Sequence, residues 1–258
     1  METYTLVTGA SDGIGKEFAR IAAAKGRRVI VTARSTDKLE ALAEALRTQA
    51  EEVVVLTADL ADPEGADAVF AAATEGRAID IFVNNAGLGA HGPFDDPASW
   101  AREEATIAVN IRAATRMLKL MVPHMTALGT RARIVNMASI AAFMPGPNMA
   151  VYHASKAYLL SLSEALSQEL KGTQVTVTAL CPGATQTGFF DAADMHGVRF
   201  ARGRLPTARA VAQAGWDAAI VGRPVIVPGG MNKLMTALPR IAPRGVVAAI
   251  TARFQERD

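Results

Sequence analysis

Thr8-Gly9-Ala10-Ser11-Asp12-Gly13-Ile14-Gly15 decides the fold. It closes the largely apolar run of residues 4–8 and leads directly into a helical apolar spacing over 13–25. Glycines here permit a tight strand-to-helix turn. They also leave room for a pyrophosphate against the first N–H groups of the helix, where the helix dipole favours an anion. Gly9, Ser11, Asp12, Gly13, Ile14 and Gly15 are therefore candidate cofactor contacts. The spacing is GxxxGxG rather than GxGxxG, and a glycine turn without a ligand reads the same way on its own.

Outward from this turn the chain alternates. Strand-like runs at 4–8, 28–32, 53–58, 79–84, 133–137, 174–180 and 224–227 are separated by helical patterns at 13–25, 36–49, 63–75, 97–128, 150–171 and 207–220. Gly26 is the expected stop of the first helix; Asp62-Pro63 read as cap and first residue of the third. Residues 53–56 are apolar throughout, as suits a parallel strand covered on both faces. The expected fold is α/β: a Rossmann-like, doubly wound parallel sheet flanked by helices on both faces. One domain over 1–228 is expected, with 229–258 as a helical extension of it.

Composition narrows the function classes. An apolar fraction of 50% excludes intrinsic disorder, and 27 basic against 25 acidic residues, scattered rather than blocked, leave no stripe for nucleic acid. The lone Cys181 allows no disulfide within the chain, and His91, His124, His153 and His196 form no HxH or HxxxH pair, so no metal is expected. There is no basic and apolar leader after Met1 and no run long enough to span a bilayer. A soluble, cytoplasmic protein is expected.

Tyr152 and Lys156 stand four residues apart and share a helix face. A neighbouring ammonium stabilises a phenolate, so such a pair can pass a proton to or from a substrate oxygen. An ordinary surface pair has the same spacing, and the reading gains weight only from the motifs around it. Thr8–Gly15 resembles the TGxxxGxG motif of the short-chain dehydrogenase/reductase family, and Asn84-Asn85-Ala86-Gly87 resembles its NNAG motif. Asn110, Ser139, Tyr152 and Lys156 fall where that family keeps a catalytic Asn-Ser-Tyr-Lys tetrad, and Pro182-Gly183-Ala184-Thr185-Gln186-Thr187 matches its PGxxxT turn. The resemblance runs in register to about residue 227.

It implies hydride transfer between a nicotinamide and a ketone or secondary alcohol. Tyr152 would act as acid or base, Ser139 would orient the oxygen, and Asn110 would support Lys156 through water. It further implies that Asp59 and Leu60 contact the adenine, that Asn85, Ala86 and Gly87 lie at the ribose, and that Pro182, Gly183, Thr185 and Thr187 hold the nicotinamide. Arg34 ends the second strand where an acidic residue would take the ribose hydroxyls, which favours the 2′-phosphate of NADP(H). Asp12 stands where many NADP-dependent relatives carry Ser or Arg. The run nevertheless resembles the ketosteroid and 3-ketoacyl-CoA reductase branch.

Ligands of doubly wound sheets bind beyond the carboxyl ends of the strands. The segments reaching that edge, 87–94, 140–149 and a lid at about 187–206, offer Phe143, Met144, Met149, Phe189 and Phe190, with Met195 and Phe200 further on. Phe143, Met149, Phe189 and Phe190 are the candidate substrate pocket, for a small hydrophobic carbonyl or alcohol. Arg199, Arg202 and Arg204 read either as anion contacts or as solvated lid charges. Cys181 reads as a small buried residue, His153 as structural and His91 as a surface residue.

In 229–258, Met231, Leu234, Met235, Leu238 and Ile241 have helical apolar spacing, followed by a second helix at 245–254. Covering its own domain or a partner subunit is the favoured reading of this tail; contact with an anionic membrane is the other. A homodimer or homotetramer is implied by the resemblance. The competing functional reading is a dinucleotide sensor or scaffold without catalysis, which has no need of Ser139, Tyr152 and Lys156 together. A nucleotide-sugar epimerase or dehydratase is disfavoured by the short C-terminal part.

Overall fold

A computed structural model describes residues 2–193 and 205–255, with the backbone alone for Phe190, Asp191 and Arg240. Seven strands form one sheet: β1 (Thr3–Thr8), β2 (Arg28–Ala33), β3 (Val53–Thr57), β4 (Ala78–Asn84), β5 (Ala132–Met137), β6 (Val175–Leu180) and β7 (Val225–Ile226). All pairings are parallel in the order β3-β2-β1-β4-β5-β6-β7. Strand order reverses between β1 and β4, which opens a crevice at their carboxyl ends.

Side chains alternate across each strand, so Val29 and Val31 enter one core and Ile30 the other. The first core is closed by α1 (Gly13–Ala24), α2 (Thr36–Leu46) and, later in the chain, the helix Ala208–Ile220, through Phe18, Ile21, Leu39 and Trp216. The opposite core is closed by α3 (Gly65–Thr74), α5 (Ala114–Ala127) and α6 (Ala150–Glu169) through Val69, Met117, Met121, Met125 and Leu159, with α4 (Trp100–Ile107) preceding α5 in the chain. The short α7 (Phe189–Ala192) precedes the helix Ala208–Ile220, here α8. The chain then ends in α9 (Gly230–Ala237) and α10 (Arg244–Gln255).

Helix α1 stops as its sequence implies. Gly26 has φ +68°, its N–H reaches Ala23 O at 2.8 Å, and Arg27 N–H reaches Ala22 O at 3.2 Å, a Schellman end. Two expectations need correction. Helix α3 begins at Gly65, with Glu64 rather than Asp62 in the N-cap position and no side-chain capping bond. Asp59 Oδ1 accepts the Ala61 N–H at 2.9 Å and Asp62 O accepts the Gly65 N–H at 3.2 Å, so residues 59–64 wind as turns first. The pattern at 97–128 is also not one helix. A 3-10 turn, Pro97–Ser99, leads into α4, and a π-helical stretch, Ala108–Ala113, separates α4 from α5. Such wide turns recur at functional sites, and this one carries Asn110.

Candidate active site

A cavity of about 1160 Å³ runs along the carboxyl edge of the sheet. Its floor begins at the glycine turn. Thr8 Oγ1 accepts the N–H groups of Asn85 and Ala86, each at 3.0 Å, while Asn85 Nδ2 donates to Thr8 O at 2.8 Å and Gly9 O at 3.1 Å. The ends of β1 and β4 are thereby strapped together. Gly9 has φ +64°, and a Cβ there would lie 2.9 Å from Ala86 Cα, so the turn admits only glycine without distortion.

Asp12 precedes α1 with an extended backbone but does not cap it. Its Oδ2 instead accepts the Gly188 N–H at 3.1 Å, tying the glycine turn to the segment after β6. The first N–H groups of α1 therefore carry no side-chain partner, and Gly13 and Ile14 line the cavity. This arrangement fits a bound pyrophosphate.

At the next stretch of wall, Arg34 is exposed, with Nη1 3.8 Å from Asp59 Oδ2, and Lys38 on the first turn of α2 joins it. Lys38 was not singled out by its sequence context; its spacing of four from Arg34 is the available signal. Ser11, Gly9, Asp59, buried Leu60, Asn85, Ala86 and Gly87 all line the same cavity, as do Pro182, Gly183, Thr185 and Thr187. Thr185 Oγ1 donates to Gly183 O at 2.9 Å, which holds the turn after β6 closed. Gly15 is buried beneath the turn, where a Cβ would press on Gly9 O at 2.5 Å.

The other half is built on α6. Lys156 is buried, and its Nζ donates to Met137 O at 2.7 Å and lies 5.7 Å from the Tyr152 ring centroid. Burial disfavours the ammonium and pushes the Lys156 pKa down to about 8. Tyr152 keeps part of its ring open to the cavity, but desolvation raises its phenol to about 12, while a hydrogen bond with Ser139 pulls in the opposite direction. Ser139 itself accepts the Ala141 N–H at 3.1 Å and donates to Pro182 O at 3.4 Å.

Asn110 is turned inward by the π-helical stretch. Its Oδ1 accepts the Leu88 N–H at 2.8 Å, and its Nδ2 donates to Leu88 O at 2.8 Å and Ser155 Oγ at 2.9 Å. Its direct partners are thus Leu88 and Ser155 rather than Lys156. Gly87 lies between the two: a Cβ there would sit 3.2 Å from Lys156 Nζ and 3.3 Å from Asn110 Oδ1. Behind them Asn84 Nδ2 donates to Asn136 Oδ1 at 3.1 Å, and Asn136 Nδ2 donates to Ser163 Oγ at 2.9 Å. This satisfied polar chain fixes β4, β5 and α6 against one another.

The apolar wall differs from expectation. Met149 and Phe189 pack on Tyr152, the Phe189 ring centroid 5.3 Å from that of Tyr152. Phe143 does not join them. It packs on Ala138, Leu160, Ala179 and Cys181 and lies outside the cavity lining, because the 3-10 turn Ile140–Phe143 aims it behind the sheet edge. Met144 faces the cavity instead. The side chain of Phe190, together with Met195, His196, Arg199, Phe200, Arg202 and Arg204, lies outside the described residues, as does most of the expected lid.

The tail supplies much of the remaining wall. Met231, Leu234, Met235 and Leu238 of α9 and its exit, and Val247 and Phe254 of α10, line the cavity. Asn232 docks over Gly183, where a Cβ would approach it to 2.6 Å. Gln255 then clasps the end of α10. Its Nε2 donates to His153 Nε2 at 3.2 Å, and its backbone oxygen accepts from His91 Nε2 at 2.9 Å. His153 Nδ1 donates to Met144 O at 2.9 Å, and burial holds its pKa below the usual histidine value. His91, expected on the surface, is in this clasp, because the tail folds back over it. Cys181 is buried, and burial pushes its thiol up to about 12, which keeps it unreactive. Among the described residues no cluster of His, Cys, Asp and Glu could hold a metal ion, and no helix is long and apolar enough to cross a membrane.

Known proteins resemble this chain in sequence and in fold. The family pattern described as short chain dehydrogenase matches residues 3–196. An uncharacterized oxidoreductase, YvaG, of Bacillus subtilis is 37% identical over 187 residues, covering 70% of this chain and 68% of the relative. A short-chain dehydrogenase from Sphingobium yanoikuyae, solved in complex with NADPH, superimposes with a TM-score of 0.80 at 30% identity, over 95% of this chain and 97% of that one. A short chain dehydrogenase/reductase from Burkholderia phymatum in complex with NAD gives a TM-score of 0.82 at 26% identity, over 93% and 92%. With a parallel seven-stranded sheet, a glycine turn and the Ser139, Tyr152 and Lys156 set on one cavity, this chain belongs to the short-chain dehydrogenase/reductase family of oxidoreductases.

Proposed function

We propose that the protein is an NADP(H)-dependent carbonyl reductase, interconverting a ketone and a secondary alcohol on a hydrophobic substrate. The observation that carries this reading is the joint lining of one cavity by Ser139, Tyr152 and Lys156 at one end and by the uncapped start of α1 with Arg34 and Lys38 at the other. When bound, the nicotinamide supplies or accepts the hydride.

The chain's own groups do the rest. The N–H groups at the start of α1 hold the pyrophosphate, and Arg34 with Lys38 takes the 2′-phosphate through charge-assisted hydrogen bonds. That basic pair is the reason for choosing NADP(H) over NAD(H). Asp59 and Leu60 border the adenine, while Asn85, Ala86 and Gly87 border the ribose. Pro182, Gly183, Thr185 and Thr187 form the turn at the nicotinamide. Ser139 donates a hydrogen bond to the substrate oxygen, and Tyr152 gives its phenolic proton to that oxygen as the carbonyl is reduced. The Lys156 ammonium stabilises the phenolate left behind. Asn110 acts through Ser155 and Leu88, as a positioning residue.

Met149, Phe189, Met144 and the tail residues Leu234 and Phe254 line the substrate half, and their apolar character argues for a ketone on a hydrophobic body. The tail from residue 229 belongs functionally to the domain formed by 1–228, since its described residues, Met231 to Gln255, wall the cavity. The exposed Trp100, Ile107 and Tyr158 on α4 and α6 support pairing of two copies through this side of the molecule. The test is oxidation of NADPH by the purified protein against a panel of ketones of increasing apolar size, with NADH in parallel. The reading requires turnover that rises with apolar size and favours NADPH. Absence of turnover with every ketone and either cofactor overturns it.

A further inference from the structure

Residues 229–255 contain Lys233, Arg240, Arg244 and Arg253 and no aspartate or glutamate. The stretch carries +4 in a chain whose total is +2, so the rest of the molecule is net negative by two. Lys233, Arg244 and Arg253 are exposed, and no carboxylate pairs with them among the described residues. Interleaved with these cations are large apolar side chains facing water: Ile241 is 85% exposed, Met231 69% and Leu234 63%, with Val246 and Phe254 near half. A patch of this kind on a soluble protein marks an interaction surface.

Its position is informative. Met231, Leu234, Leu238 and Phe254 are exposed and also line the active-site cavity, so they form its rim. Ile241 and Val246 extend the same apolar surface outward without lining the cavity. We propose that the α9–α10 hairpin docks on an anionic lipid bilayer, seating the cavity mouth against the membrane.

The charge pattern selects this occupant. Two copies meeting through this surface about a two-fold axis would oppose cations to cations, with no acid in the stretch to compensate. A bilayer with anionic headgroups instead offers negative charge to the lysine and arginines and hydrocarbon to the apolar side chains between them. On the carbonyl-reductase reading above, an apolar ketone would then enter from the bilayer without crossing water.

The test is flotation of the full-length protein with phosphatidylcholine vesicles and with vesicles containing phosphatidylglycerol, at low and high salt. The expected result is flotation with the anionic vesicles only, weakened by salt. Ile241→Asp and Arg244→Glu, both outside the cavity, should each reduce the bound fraction by about tenfold. NADPH binding, measured on the same samples by fluorescence, should stay unchanged, which separates failure of docking from failure of the enzymatic reading. Absence of flotation with anionic vesicles, or flotation of both variants like the unaltered protein, overturns the proposal. So does an oligomer whose light-scattering mass falls on Ile241→Asp, since a second copy would then be the occupant.

Discussion

Asn110 Nδ2 and Ser155 Oγ are joined by a hydrogen bond of 2.9 Å that ties the π-helical stretch to α6, the helix bearing Tyr152 and Lys156. Ser155 Oγ in turn donates to Tyr152 O at 2.7 Å, so the position of Asn110 is transmitted to the backbone of the proposed acid. Asn110→Ala would leave the half-buried Leu88 N–H and C=O and the buried Ser155 hydroxyl without their Asn110 partner. It should destabilise the fold by about 2–3 kcal/mol in urea unfolding. It should also lower kcat with little change in the NADPH dissociation constant, because Asn110 itself does not line the cavity. An unchanged kcat would remove Asn110 from the account.

Arg34 is expected to discriminate between the two nicotinamide cofactors. Arg34→Ala removes a charged hydrogen-bond donor, about 1.5–3 kcal/mol where it meets a phosphate, so NADPH affinity should fall by roughly tenfold to a hundredfold. NADH affinity should hardly move. Fluorescence titration of both cofactors reads this directly, and equal losses for both would assign Arg34 to the fold instead.

The pKa of about 8 at Lys156 predicts a pH limb. Burial lowers it, so the ammonium is present below that value and lost above it. Because Lys156 is proposed to stabilise the Tyr152 phenolate, kcat/KM for reduction should decline as pH rises from about 8 towards 10.5, the ordinary lysine value. Tyr152, raised to about 12, stays protonated over the same interval and contributes no limb there. A flat profile between those limits would contradict the role given to Lys156.

One buried histidine, His153, and one half-buried, His124, predict sensitivity to mild acid. His153 is held neutral by burial, and so is His124, whose Nε2 accepts the Ile79 N–H at 3.1 Å. Both have folded-state values below the ordinary 6.5. Their neutral forms therefore support the fold fully above pH 6.5, and this support is lost as pH falls through the lowered values, because the unfolded chain takes up protons first. Melting temperature followed from pH 7 downward should fall in that window, about where ordinary histidines titrate. His124→Gln should flatten part of the fall; an unaltered slope would show that carboxylates alone govern it.

What could be read without coordinates was local. The glycine turn, the NNAG end of β4 and the Tyr152–Lys156 spacing each depend on a few adjacent residues, and all three converge on the cavity. The π-helical stretch was not legible, because it is set by Asn110 meeting Leu88 and Ser155 across the fold. Phe143 was misplaced by one face of a short turn, a choice that apolar character alone does not make. The tail's part in the cavity wall was legible only as amphipathic spacing, since which surface it covers depends on Asn232 and Gln255 finding Gly183 and His153.

The central claim is that Tyr152 exchanges a proton with the substrate oxygen, and Tyr152→Phe tests it most directly. The variant keeps the ring against Phe189 and Met149 and removes only the hydroxyl. Turnover of a reducible ketone with NADPH should fall by about a hundredfold to ten-thousandfold, while NADPH binding stays unchanged. A Tyr152→Phe protein that binds NADPH and reduces the ketone as fast as the unaltered enzyme would contradict the account.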